Sequence, residues 1–73
     1  MALTFNAFIA GAPASDTSMG DFIADAKEDV DFPDVAAWAE VRDYLKATHA
    51  GRAAIRAALE AWKSYELARD ADA

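Results

Sequence analysis

The chain contains no cysteine, two prolines, three glycines and one histidine, and its seven basic residues face thirteen acids. Without cysteine, neither a disulfide framework nor a thiolate metal site can staple it. With one histidine, no histidine cluster can gather a soft metal. No apolar run is long enough to cross a bilayer, and no repeat or low-complexity segment interrupts the pattern. The shortage of positive charge, a formal net charge of −6, argues against binding nucleic acid or an anionic membrane through bulk charge. At 73 residues the expectation is one domain over 1–73, near the size at which a core alone is barely sufficient.

What is present is apolar helix-forming sequence. The hydrophobic fraction of 55% overstates the core, because much of it is alanine. The bulky residues available for burial are Leu3, Phe5, Phe8, Ile9, Phe22, Ile23, Val30, Phe32, Val35, Trp38, Val41, Tyr44, Leu45, Ile55, Leu59, Trp62, Tyr65 and Leu67. They recur at helical spacing, so the fold class expected is all-α, with four helices over roughly 4–10, 18–30, 35–47 and 50–68.

Thr4 can cap the first helix, whose Phe5, Phe8 and Ile9 share one face. Gly11 and Pro13 end it, and 12–16 form a loop. The stretch Ala2–Ala14 has a small-residue end like a signal peptide. It lacks a basic leader, and Thr4 and Asn6 break its apolar run, so a structural helix and a cytoplasmic protein are expected. Thr17 or Ser18 caps the second helix, with Met19, Phe22, Ile23, Ala26 and Val30 on its apolar face. Phe32-Pro33 stops that helix, because proline disfavours helical geometry in the residue before it. Asp34 then caps the third, with Trp38, Val41 and Leu45 inward. Thr48-His49-Ala50-Gly51 connects to the fourth helix, or Thr48 caps it, and on that helix Ile55, Ala58, Leu59, Trp62 and Tyr65 or Glu66 face the core. An Arg56–Glu60 pair at i, i+4 supports the outer face, alanine-rich faces permit close packing, and 69–73 is expected to fray.

Ser18-Met-Gly-Asp-Phe22, Ala26, Asp29, Phe32-Pro33, Trp38, Val41-Arg-Asp-Tyr-Leu45 and Ala61-Trp62-x-x-Tyr65 together resemble the YozE-like family of small bacterial proteins. Phe5-x-x-Phe8-Ile9 fits that family's aromatic first helix, with a slightly different loop after it. The likeness covers nearly the whole chain. It implies a compact four-helix fold similar to the sterile alpha motif (SAM), and no assigned activity. Two places depart from the family pattern. Ala37-Trp38 stands where a polar residue and a tyrosine are usual, and the short loop before helix four carries the only histidine.

Charge is unevenly distributed. Asp16, Asp21, Asp25, Glu28, Asp29, Asp31 and Asp34 surround the single Lys27, whereas Arg42, Lys46, Arg52, Arg56, Lys63 and Arg69 outnumber Asp43, Glu60 and Glu66 farther on. Carboxylates at i and i+4 can share a hard cation, but a solvated helix face explains Asp21, Asp25, Glu28 and Asp29 more simply. Asp29-Val-Asp31-Phe-Pro-Asp34 begins like a calcium loop and lacks the central glycine and the closing glutamate. His49 has neither a cysteine nor a second histidine to ligate with, and reads as a loop or capping residue. Ser15, Ser18 and Ser64 have no nucleophile-elbow context. The expectation is therefore no enzyme, no metal, no cofactor and no small-molecule substrate.

Two readings of function remain. The first is a protein–protein interaction module with an acidic face of Asp21, Asp25, Glu28, Asp29 and Asp31. Its partner is an unknown protein or a second copy of the chain, meeting that face, the helix ends, or the basic face of Arg42, Lys46, Arg52, Arg56 and Lys63. The alternative is an acidic inhibitor or nucleic-acid mimic of the phage or plasmid anti-defence type, motivated by the dense row of carboxylates. Nucleic-acid binding through helix four is a weaker third, because Asp43, Glu60 and Glu66 interleave its bases and analogy with other helical folds is its main support.

Overall fold

The computed structural model describes residues 3–13 and 17–72. Ser15, Asp16 and Ala73, which figure in the expected loop, acidic stretch and tail, lie outside them. The helices are α1 (Phe5–Gly11), α2 (Ser18–Glu28), α3 (Trp38–Ala47) and α4 (Arg52–Asp72). The all-α expectation holds. α4 is the spine: at 21 residues it is about 32 Å long, nearly the 34 Å long axis of the molecule. It packs against each of the other three, and α1 also packs on α2. Its inward face combines Ala57, Ala58 and Ala61 with Trp62 and Tyr65, all buried. The alanines let neighbouring backbones approach, and the two large rings fill the space farther along.

Into that space α1 inserts Phe5, which is fully buried. Its ring lies 4.9 Å from Trp62, 5.6 Å from Tyr65 and 6.5 Å from Phe22, centroid to centroid. The contacts continue from Phe22 to Phe32 at 6.4 Å and from Phe32 to Tyr44 at 5.3 Å, both edge-on, a geometry that favours aromatic quadrupoles. One chain of rings thus joins α1, α4, α2, the Phe-Pro turn and α3. The Tyr65 hydroxyl leaves this cluster by donating to the Leu3 carbonyl at 2.8 Å.

Thr4 and Thr17 cap α1 and α2 as expected, accepting from Ala7 N–H at 3.1 Å and Gly20 N–H at 3.0 Å. The other boundaries move for identifiable reasons. α2 ends at Glu28, two residues short of Val30. Asp29 folds its carboxylate over its own turn and accepts from Asp31 N–H at 3.0 Å, a local bond that competes with helix continuation. Val30, expected on the apolar face, is 96% exposed. α3 starts at Trp38 rather than Val35, and Asp34 is not its cap. Asn6 of α1 takes hold of the preceding segment: its side chain donates to the Pro33 carbonyl at 2.9 Å and accepts from Val35 N–H at 3.0 Å. Ala37 then occupies the N-cap position without a side-chain bond, while Glu40 reaches back to accept from Ala36 N–H at 3.1 Å.

α3 closes with His49 in the left-handed region, φ 61°. Ala50 N–H bonds the Leu45 carbonyl at 2.9 Å and His49 N–H bonds that of Lys46 at 3.1 Å, the paired bonds of a Schellman ending. His49 is thus a capping residue, and Thr48 ends α3 rather than starting α4. Because His49 and Ala50 complete this ending, α4 begins at Arg52, not Ala50. Its far end is ordered helix to Asp72 instead of fraying from residue 69. Arg69 bridges to Glu66 at 3.7 Å and Asp70 at 3.4 Å and lies 5.3 Å above the Tyr65 ring. Leu67, counted among the core candidates, is 74% exposed. Among the described residues the Arg56–Glu60 pair does not form.

Two substitutions test this packing. Trp62→Ala empties the ring cluster and should cost about 3–5 kcal/mol, a large part of the stability of a domain this size, read as a lowered urea midpoint. Asn6→Ala removes both clamps on the Phe-Pro segment and should cost about 1–3 kcal/mol. Chemical shifts should then change at Pro33–Val35 while α4 is undisturbed.

Candidate functional site

The packing order leaves a gap. α2 and α3 both lie on α4, but their backbones do not approach one another, so a groove of about 290 Å³ opens between them. Its α4 side is made of Ala53, Ala54 and Ala57, and Phe22, Ala26, Phe32 and Leu45 supply the rest of its apolar lining. Along its α2 edge stand Asp21, Asp25 and Asp29, four residues apart and therefore about 6 Å apart along the helix. The Tyr44 hydroxyl closes the end nearest the Phe-Pro turn, and Thr48 and Ala50 border the loop side.

These acids differ in state. Asp21 and Asp25 are exposed and make no ion pair among the described residues. Lys27, the nearest base in sequence, is turned toward α1, where its ammonium donates to the Ala12 carbonyl at 2.5 Å. Asp29 is half-buried and accepts from the Tyr44 hydroxyl at 2.5 Å. That bond, followed by desolvation and the negative charges of Asp29 and Asp31, pushes the Tyr44 phenol from its ordinary 10 up to about 12. Of the five acids proposed from sequence, the fold brings Asp21, Asp25 and Asp29 to one groove. Glu28 points to another side of α2, and Asp31 sits in the turn beyond it; neither lines the groove.

The proposed basic face divides more sharply. Arg42 is half-buried and tied to Asp43 at 3.2 Å, and Lys46 lies with it on α3. Arg52, Arg56 and Lys63 are exposed on α4, fall within about 40° of one another at 3.6 residues per turn, and make no ion pair among the described residues. Sequence reasoning missed the groove itself, together with Tyr44, Phe32 and the Ala53, Ala54, Ala57 wall. The one available signal was the run of small residues at helical spacing near the start of α4. Among the described residues no three His, Asp or Glu side chains gather closely enough to hold a metal ion, and no helix is long and apolar enough to cross a membrane.

Three short helices docked on one long C-terminal helix define a small all-α domain of the SAM-like kind. The sequence model of the family described as the YozE SAM-like fold matches residues 4–67, and the chain belongs to that family. No curated protein and no solved structure matches it.

The Tyr44–Asp29 bond carries a pH signature. A phenol whose folded pKa lies above its unfolded value contributes stability that is complete below pH 10 and is lost as pH rises through about 12. The stability difference between the wild type and Tyr44→Phe should therefore be constant from neutral pH up to pH 10 and shrink above it. Near-UV absorbance should show a tyrosine ionising near pH 12, and Asp29→Asn should bring it down.

Proposed function

We propose that this protein is a non-enzymatic protein–protein interaction module, and that the groove between α2 and α3 receives a partner's basic, apolar-tipped segment. The observation that carries this is the pairing of an apolar floor with two exposed acids, Asp21 and Asp25, that make no ion pair among the described residues. An apolar floor gives a partner side chain somewhere to be buried. Unscreened carboxylates beside it select a cationic neighbour and speed its encounter. SAM-like architecture is compatible with this role and does not assign it.

The acidic-mimic reading draws on the same carboxylates at regular spacing. A mimic displays its acids on a convex, polar surface, whereas here they edge an apolar concavity, which favours docking. Nucleic-acid binding has less support still, since Arg42 is already paired and Glu60 interrupts the run between Arg56 and Lys63.

The test is affinity capture from a native lysate with the wild type and with Asp21→Asn/Asp25→Asn as baits. Asp29 is left intact because its bond to Tyr44 belongs to the fold. A specific protein recovered by the first bait and lost with the second, at unchanged helicity, is the expected result. Equal recovery by both removes the acidic edge from the interaction.

A further inference from the structure

The groove has a counterpart elsewhere on the same chain. Arg56, Lys63 and Leu67 form one exposed stripe along the outside of α4, with Arg52 extending it toward the loop. Leu67 is 74% exposed in a chain too short to spare a leucine from its core. Its neighbours on the stripe are cations with no ion pair among the described residues. A ridge of bases ending in an apolar knob is the complement of a groove with an acidic edge and an apolar floor.

Along α4, Arg56 and Lys63 stand about 10 Å apart, and Asp21 and Asp25 stand about 6 Å apart along α2, a difference that the long basic side chains can span. α4 forms part of its own chain's groove and carries the stripe on a different side of the same rigid helix, so ridge and groove of one molecule cannot meet. Resting on the docking role proposed above, we infer that the partner is a second copy of this chain. Its α4 stripe enters the groove, Arg56 and Lys63 lie against Asp21 and Asp25, and Leu67 is buried on the apolar floor. The surfaces in contact are different on the two molecules, so the contact is head-to-tail, and one copy keeps a free ridge while the other keeps a free groove. Glu60 at the edge of the stripe and Asp70 one turn beyond Leu67 are acids that oppose the fit.

Sedimentation velocity on the full chain, from micromolar to millimolar protein at low and high salt, tests this. Concentration-dependent association that weakens with salt is expected. Asp21→Asn/Asp25→Asn and Arg56→Gln/Lys63→Gln should each be monomeric with wild-type helicity, and an equimolar mixture should form a one-to-one heterodimer, because each retains the surface the other lacks. Leu67→Ala, a change at an exposed position that leaves folding intact, should weaken association about tenfold, and Glu60→Gln should strengthen it. A wild type that stays monomeric at millimolar concentration in low salt overturns the inference, as does association unaffected by Leu67→Ala. If the wild type is monomeric yet lysate capture still depends on Asp21 and Asp25, the self-partner fails and the docking role stands. If capture is also insensitive to them, both fail.

Discussion

The seating of Phe5 against Trp62 and Tyr65 is the contact on which the rest of the molecule depends. A domain of 73 residues without cysteine has no disulfide to make up for a poor core. α1 is seven residues long and could not persist alone. It is stable because one fully buried ring joins it to α4 and α2 together. Once α1 is placed, Asn6 on its flank reaches the Phe-Pro segment. The clamp on Pro33 and Val35 then sets where α3 can begin, and through Phe32 it holds the turn against Tyr44.

The groove follows from that chain of constraints. With α4 as the common support and α1 wedged beside α2, nothing draws α3 onto α2. The two stand apart, bridged by Phe32 and by the Tyr44–Asp29 bond. One carboxylate of the acidic row is thereby used to hold the turn, and the two nearer the start of α2 remain available. The same residue type at the same spacing therefore serves structure at Asp29 and is available for binding at Asp21 and Asp25. The bond geometry, not the residue identity, distinguishes them.

Much of the architecture was legible from the chain alone. Helical periodicity located all four helices, Thr4 caps α1 as predicted and Thr17, one of two candidates, caps α2, because periodicity and capping depend on neighbours a few residues away. The errors share a cause. Val30 was assigned to a buried stripe by spacing, but an Asx turn at Asp29 ended the helix first. Val35 was expected to open α3, but its N–H was already committed to Asn6, 29 residues earlier. Leu67 was counted as core on hydrophobicity, although its place on the stripe with Arg56 and Lys63 points it outward.

By itself, then, the sequence determined the class of fold, the helices and their caps, most of the buried set, the family and the uneven distribution of charge. All of these rest on composition or on contacts a few positions apart. Tertiary structure alone decided where α2 and α3 end and begin, that α2 and α3 stand apart with a groove between them, and which acids line it. It also decided that Arg42 is paired while Arg52, Arg56 and Lys63 of α4 make no ion pair among the described residues. Those features depend on which faces α4 buries and on bonds between residues far apart in the chain, and periodicity along one helix carries no information about what the next helix covers.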